Sequence, residues 1–217
     1  MQKAYINNRF SPIRHPAIVQ GVVITMVVLT AYLTIVTRLK LEGLDDAAAS
    51  LDQLEADISD ANQHLKYAAI APKEEYRTTE FAQMLITRAS ATKQYEALKQ
   101  NKALTSEDQG VVSTMLIERD LYRERQNAVV KAINEQHQNC IWRAFMLYQP
   151  RLEVYLTRTR NLTLSVVRQA EITRMWFYAF MTLEGIVITL LVLGAYLWDK
   201  WLNLTTRRSC DVQREKL

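Results

Sequence analysis

A single carboxyl group stands inside a long apolar run near the C-terminus. Glu184 lies about nine residues inside Met175–Trp198, where an ionised carboxylate would cost several kcal/mol in a bilayer. In the other apolar run, Pro16–Thr37, Thr25 and Thr30 match its depth best by residue counting. We expect these three residues to make an intramembrane contact with a partner chain. The alternatives are a protonated Glu184 hydrogen-bonded within the chain's own helices, and a proton relay.

Arginines form a second candidate site. Arg158 and Arg160 alternate with threonines, and Arg151 lies seven residues before Arg158. Guanidinium groups can hold the carboxylate of an anionic ligand through paired hydrogen bonds. The favoured interpretation is that these arginines are solvated and pair with the acidic first helix of the bundle.

Two histidines give the third candidate. His64 and His137 are expected at the membrane-distal end of the central domain, near Glu74, Glu75 and Cys140, and a metal or pH-sensitive site is one interpretation of that grouping. Solvated histidines at turns are the favoured one. The chain has no glycine-rich phosphate loop and no HExxH, CxxC or nucleophile-elbow motif. We therefore predict no catalytic residue, no metal and no cofactor, and a protein that is not an enzyme.

Both apolar runs have the length of a transmembrane helix. Each is just over twenty residues long, and about 20 helical residues cross the ~30 Å hydrocarbon core of a bilayer. The segment Arg38–Arg174 has nineteen basic and nineteen acidic residues, whereas the first fifteen residues have three basic and no acidic ones, and the tail after Trp198 has five basic and three acidic ones. Because basic residues concentrate on the cytoplasmic side, both termini are predicted to be cytoplasmic, with Cys140 and Cys210 on opposite sides of the membrane.

The charge pattern also sets the predicted domain organisation and localisation. The basic pI near 9 reflects the positive-inside bias, so no nucleic-acid partner is predicted. The first span is expected to be an uncleaved signal anchor in a bacterial inner membrane, with a mitochondrial inner membrane as the alternative. The predicted parts are a cytoplasmic segment 1–15, transmembrane helix 16–37, periplasmic helical domain 38–174, transmembrane helix 175–198 and cytoplasmic tail 199–217.

Heptad spacing predicts a long first helix in the central domain, because two sets of apolar residues recur every seven positions. Ala71-Pro72 should end this helix, since the residue before proline disfavours helix. A second helix is predicted from about Lys73 to Asn101, and Thr105 should cap a third. The two heptad sets are Leu44, Leu51, Ile58 and Leu65, and Ala47, Leu54, Ala61 and Ala68.

The turn between helices three and four is predicted at Asn134–Asn139, because a turn there gives the two arms similar lengths. An apolar 3–4 spacing continues from Ile141 to Val166 straight across Pro150, which makes the proline a kink near the start of helix four. The alternative puts Pro150 at the first position of that helix. The third-helix seam, by contrast, is interrupted by Arg119 and Gln126.

Charge distribution predicts how the helices pair. Between Leu41 and Leu65 there are seven acidic residues and no lysine or arginine, whereas the fourth helix carries six arginines and two glutamates. An acidic first helix should therefore lie beside a basic fourth. The predicted fold class is all-α: two transmembrane helices flank an antiparallel up-down four-helix bundle whose first and last helices continue into the membrane.

This layout resembles the transmembrane sensory half of bacterial methyl-accepting chemotaxis receptors and related four-helix-bundle sensors. Tyr148-Gln149-Pro150, early in the fourth helix, is similar to a short Gln-Pro motif at that point in the family. The resemblance covers Pro16–Trp198 by architecture. It implies a bundle that dimerises side by side, binds a small ligand across the interface, and signals by a piston-like shift of the fourth helix.

The chain also departs from that family. Its members continue into a long cytoplasmic signalling hairpin, whereas nineteen residues follow Trp198 here. Amino-acid receptors of the family use first-helix arginines for ligand carboxylates, and the segment 41–65 has none. Two hypotheses follow, with the lipid bilayer and other membrane subunits or a homodimer partner as expected contacts. The favoured one is an interaction or accessory subunit of a membrane complex, and the alternative is a sensory or signal-relay protein.

Overall fold

The computed structural model describes residues 14–135 and 138–214, and the regular secondary structure of these residues is entirely α-helical. The helices are α1 (Arg14–Ile70), α2 (Glu74–Gln100), α3 (Ser106–Asn134) and α4 (Gln138–Arg214). Two of them are long, with 57 residues in α1 and 77 in α4. The all-α prediction is confirmed.

The chain divides into two compact units. One is Arg38–Arg174, and the other combines the chain through Thr37 with the chain from Met175. Each long helix contributes residues to both units. In α1 and α4 there is an 18-residue window apolar enough to cross a membrane. Few side chains of these windows are buried within the described residues, 0% in α1 and 6% in α4.

Unit Arg38–Arg174 is built around one hydrophobic core to which all the described helices contribute. Every residue of the two predicted heptad sets in α1 is buried, which confirms the seam. Burying a large aliphatic side chain typically contributes about 1.5–3 kcal/mol. The α4 seam is also confirmed: Ile141 and Phe145 are partly buried, and six further residues are buried, namely Tyr148, Leu152, Tyr155, Thr159, Leu162 and Val166.

The helix ends follow the local signals in the sequence. α1 ends at Ile70, two residues before the proline. α3 begins after Thr105, whose Oγ1 accepts a hydrogen bond from the Asp108 backbone N–H at 3.2 Å. α3 ends at Asn134 and α4 begins at Gln138, so the predicted turn position is confirmed. Pro150 lies inside α4, and the alternative that placed it at the first helical position is wrong.

Ion pairs connect α4 to two other helices. Arg160 Nε lies 2.6 Å from Glu55 Oε1, and Arg174 Nη2 lies 2.7 Å from Asp45 Oδ1. These contacts agree with the expected pairing of the acidic first helix with the fourth. Arg158 differs, because its Nη2 lies 3.0 Å from Glu118 Oε1 of α3. Arginines two residues apart on a helix point in different directions and therefore reach different helices. The number of charges on each helix does not predict which arginine pairs with which helix.

The connection between α2 and α3 is fixed against α1 at a glycine. Asn101 Nδ2 donates to the Gly43 carbonyl at 2.6 Å, and its Oδ1 accepts from the Ala103 N–H at 2.9 Å. A Cβ atom on Gly43 would lie 2.6 Å from the Ala103 Cβ. The close approach of this loop therefore requires glycine inside a helix that otherwise disfavours it.

Candidate functional site

The intramembrane candidate residues are only partly brought together. Glu184 has 9% of its surface exposed, and its Oε1 contacts the Thr30 hydroxyl. Thr30 also donates to the Met26 carbonyl at 2.7 Å. Both oxygens accept from Thr30, so the single hydroxyl proton is shared between the Met26 carbonyl and Glu184 Oε1. Thr25 instead donates to the Gly21 carbonyl of its own helix at 2.8 Å.

The arginine candidates of α4 do not form one site. Arg158 and Arg160 are engaged with carboxylates of two different helices, and Arg151 is exposed. As ion pairs with substantial exposure, the two contacts contribute little, typically 0–1 kcal/mol. They favour a role in pairing helices over a shared ligand site.

His64 makes a local contact. Its Nδ1 lies 2.7 Å from Glu80 Oε2 of α2, while His137 lies outside the described residues. Within the described residues there is no group of three His, Cys, Asp or Glu side chains placed to hold a metal ion. Cys140, which was expected near these histidines, is exposed.

The sequence did not predict a cluster of half-buried arginines beside buried tyrosines of the core. We define the arginine–tyrosine cluster as Arg88 of α2, Arg119, Tyr122 and Arg123 of α3, and Tyr155 of α4. Together with Asp57 of α1 they line a cavity of about 10 Å³. The sequence contained one signal for this cluster, because Arg119 and Gln126 interrupt the apolar seam of α3. In the structure Gln126 is completely buried.

Tyrosine hydroxyls form a short hydrogen-bonded chain at one side of the cluster. Tyr122 OH accepts from Gln126 Nε2 at 3.1 Å and from Tyr148 OH at 3.4 Å. The Tyr122 ring stacks on Tyr155, with 5.8 Å between centroids. Burial raises the pKa of Tyr122, Tyr148 and Tyr155, so these phenols are neutral donors and acceptors.

Tyr155 and Asp57 carry buried polar atoms that the cluster does not satisfy. Tyr155 is 1% exposed, and its hydroxyl has no hydrogen-bond partner among the described residues. Asp57 Oδ1 accepts from Gln53 at 2.9 Å, whereas its Oδ2 is likewise unpartnered within the described part of the chain. Both atoms belong to residues that line the cavity, and buried polar groups without a protein partner are commonly hydrogen-bonded to ordered water.

The three guanidinium groups are held mainly by neutral acceptors. Arg123 donates to Thr92 Oγ1 at 2.6 Å and to the Arg88 carbonyl at 3.2 Å. Arg88 donates to Asn127 Oδ1 at 2.9 Å. Arg119 lies 5.2 Å from the centroid of the Tyr95 ring and 3.2 Å from an oxygen of Asp120.

Burial and mutual repulsion affect these arginines. Burial lowers the pKa of the Arg88 guanidinium, and burial followed by repulsion from Arg119 and Arg88 lowers the pKa of Arg123. Both remain cations at neutral pH, since an arginine side chain keeps its proton throughout the physiological range. The cavity lining therefore combines three guanidinium groups with the carboxylate of Asp57.

An apolar groove lies where the end of α1 meets the start of α4. It has a volume of about 920 Å³. Ile70, Trp142 and Met146 are 78%, 73% and 73% exposed, although side chains of this kind are usually buried. We define the apolar groove by its lining residues, Lys66, Ala69, Ile70, Ala71, Ile141, Trp142, Phe145, Met146 and Gln149.

Comparison of the chain with protein-family models, with curated proteins and with solved structures finds no match. The resemblance to chemoreceptor sensory regions stays a sequence-based expectation. Fold and sites together define a class only: an all-helical protein with two helices long and apolar enough to cross a membrane.

Proposed function

We propose that this chain is a non-enzymatic two-pass membrane protein that acts as an interaction or accessory subunit of a membrane complex. In this proposal residues 38–174 form an antiparallel up-down four-helix bundle outside the cytoplasm, most simply in the periplasm of a bacterium. The spans anchor the bundle, and both units contact neighbouring membrane proteins.

Contacts within residues 38–174 support the antiparallel arrangement. Arg160 pairs with Glu55 and Arg174 with Asp45, so residue numbers rise along α4 while they fall along α1. Short connections favour antiparallel neighbours in helical bundles, and only a few residues separate α1 from α2 and α2 from α3. The distribution of lysine and arginine outside this segment supports cytoplasmic termini.

The apolar groove is the observation that carries the interaction role. Contiguous exposed apolar patches on soluble domains mark contact surfaces, and tryptophan and methionine are enriched at protein interfaces. The groove presents Trp142, Met146 and Ile70 next to the polar Lys66 and Gln149. This combination fits a partner protein that inserts the apolar face of a helix and places an acidic group near Lys66.

Glu184 supports a second contact surface within the spans. A carboxyl group at membrane depth is retained where it has a polar partner, and Thr30 supplies one within the chain. Thr30 contacts only one oxygen of this carboxyl group. In this proposal the other oxygen binds a polar group of a neighbouring subunit.

Native mass spectrometry of the tagged full chain, gently solubilised from its native membrane, tests the proposal. The expected result is a larger assembly of fixed stoichiometry that Trp142→Ala weakens by at least tenfold, because central aromatic anchors commonly contribute 2 kcal/mol or more. Ile117→Ala is the matched control, since Ile117 is 65% exposed on α3 and lies outside the groove. Recovery of the chain without any partner protein would refute the accessory role.

The second candidate function is a sensory or signal-relay protein. It is favoured by the continuity of α4, which runs as one helix from Gln138 to Arg214 and would transmit an axial shift. A homodimer with no other subunit in the same mass spectra, followed by a ligand that changes its stability, would favour this function over the accessory one.

A further inference from the structure

We propose that the connection between α2 and α3 is a latch that fixes the axial register of α1 against α4 within residues 38–174. We define the α2–α3 latch by five residues, namely Asn101, Ala103, Thr105, Asp108 and Gln109. The inference depends on contacts within this unit alone. It goes beyond the accessory role and does not require it.

One side of the latch is attached to α1. Asn101 Nδ2 donates to the Gly43 carbonyl at 2.6 Å. Ala103 lies against the same residue, because a Cβ atom on Gly43 would be 2.6 Å from the Ala103 Cβ. A backbone carbonyl and a glycine have no side chain that can follow a moving partner by changing its rotamer. The attachment therefore defines one axial position of the connection on α1.

The other side of the latch is attached to α4. Asp108 is 4% exposed, and its carboxylate accepts from Ser165 Oγ at 3.0 Å and from Gln169 Nε2 at 2.6 Å. Gln169 Nε2 also donates to Ser165 Oγ at 3.3 Å. Hydrogen bonds to a carboxylate are stronger than those between neutral groups. Asp108 therefore defines one axial position of the connection on α4.

Hydrogen bonds also join the two attachments to each other. Gln109 Nε2 donates to the Asn101 carbonyl at 2.7 Å, and Thr105 Oγ1 accepts from the Asp108 N–H at 3.2 Å. Between them Leu104 is 7% exposed and belongs to the hydrophobic core. Connecting segments usually run over the surface and are more mobile than the helices that they join. The latch is instead a packed link from α1 to α4.

Hydrogen-bond geometry limits how far α1 and α4 can slide. Helix shifts at packed interfaces are about 1–2 Å, and a side-chain contact of about 3.6 Å is no longer a hydrogen bond. The bonds from Asn101 to Gly43 and from Gln169 to Asp108 are both 2.6 Å long, so a shift of that size opens at least one of them. An axial movement of α4 past α1, which the sensory alternative requires, therefore has to open the latch.

Direct ion pairs between α1 and α4 are the competing explanation for a fixed register. Arg174 pairs with Asp45, and Arg160 pairs with Glu55. Such exposed pairs contribute little to stability, and their long side chains follow a small shift of either helix by changing rotamer. The latch differs, because its attachment to α1 is to the backbone.

Distances between spin labels on α1 and α4, measured by pulsed electron paramagnetic resonance on the full chain in a nonionic detergent, test the proposal. The labels are attached to Asp52→Cys and Arg168→Cys, two exposed positions, in a chain that also carries Cys140→Ser and Cys210→Ser. We expect one narrow distance distribution in this parent chain. Asn101→Ala should shift or broaden it by about 1–2 Å, because the connection then loses its attachment to α1.

Two further variants make the test specific. Gln169→Ala detaches the latch from α4 instead and should give the same change as Asn101→Ala. Arg174→Ala is the control, since it removes an ion pair between the same two helices and leaves the latch intact. Its distance distribution should equal that of the parent chain.

Hydrogen–deuterium exchange of the same chains checks that each variant is folded. In Asn101→Ala and Gln169→Ala, exchange should rise in residues 101–109 and stay unchanged in the core around Leu51. Unchanged distances in these two variants, or an equal change in Arg174→Ala, would overturn the proposal. Faster exchange throughout the core would also overturn it, because the connection would then stabilise the whole unit and not one register.

Discussion

Asp108 shows how much structure one side chain can organise. Its carboxylate accepts hydrogen bonds from Thr105 Oγ1 at 2.5 Å, Ser165 Oγ at 3.0 Å and Gln169 Nε2 at 2.6 Å. It thereby closes the N-terminus of α3 and connects it to α4. Burial alone would raise the pKa of Asp108, but these hydrogen bonds outweigh it and lower the pKa below its usual value of 3.8.

Asp108→Asn should destabilise the protein at neutral pH by about 1.5–3 kcal/mol, because the charged acceptor of three hydrogen bonds is lost. A lowered folded-state pKa gives stability that is present above the unfolded value of 3.8 and is lost as pH falls through the folded value. The difference between wild type and variant should therefore shrink below about pH 4. Thermal unfolding of both chains against pH measures it, with the exposed neighbour Glu107→Gln as control.

Removing the hydroxyl group from each of two buried tyrosines should have different effects on the free energy of unfolding. Tyr122→Phe leaves Gln126 Nε2 and Tyr148 OH without their acceptor and should cost about 1–3 kcal/mol. Tyr155→Phe removes a hydroxyl that has no partner in the described structure and should be neutral or stabilising. Chemical unfolding of the two variants compares their stabilities, and equal losses would contradict the assignment of the hydrogen-bonded chain.

At the scale of the helix, two glycines inside helices have different roles. Gly43 in α1 faces Ala103, whereas a Cβ at Gly110 in α3 meets nothing within 4 Å. Helix propensity alone favours alanine over glycine by about 0.8–1 kcal/mol at either position.

Gly110→Ala should therefore stabilise the protein by about 0.5–1 kcal/mol. Gly43→Ala should instead destabilise it by about 1–3 kcal/mol, because the new methyl group clashes with a short side chain that has no flexible end to move. Unfolding midpoints of the two variants measured side by side give the comparison. Stabilisation by both would mean that the α2–α3 loop does not pack against α1.

The α1 heptad gives an independent check on the core. Leu51 is fully buried and Leu85 of α2 is 56% exposed. Leu51→Ala should cost about 2–5 kcal/mol, since it opens a cavity in the core, whereas Leu85→Ala should stay within about 0.5 kcal/mol. The same unfolding assay distinguishes them, and similar losses would contradict the assignment of the α1 seam to the core.

At the scale of the whole molecule, two cysteines report on the membrane topology. Cys140 is exposed in residues 38–174, and Cys210 belongs to the tail whose basic residues predict a cytoplasmic location. A membrane-impermeant maleimide added to intact cells or spheroplasts should label Cys140 alone. Cys140→Ser should abolish that signal, while Cys210 should react only after permeabilisation. Labelling of Cys210 in sealed membranes would reverse the proposed orientation.

The sequence predicted the helices and most of the core because the governing signals are local. Apolar residues between Leu44 and Leu65 recur with the period of a helix. Ala71-Pro72 ends α1 and Thr105 caps α3, so each boundary depends on residues within a few positions of it. The turn before Gln138 was found because apolar spacing continues across Pro150. The sequence did not predict which helix each arginine pairs with. Arg158 and Arg160 are two residues apart, yet they reach different helices.

The sequence by itself therefore determined the two helices that are long and apolar enough to cross a membrane. It also determined the helical boundaries and the buried faces, because these follow from periodicity and local backbone chemistry. Only the tertiary structure decided where polar groups from separate helices meet. Asp57, Arg88, Arg119 and Tyr155 converge on one cavity from four helices. Ile70 and Trp142 line one groove although more than seventy residues separate them in the chain. Such contacts depend on the rotation and packing of whole helices, which no short segment encodes.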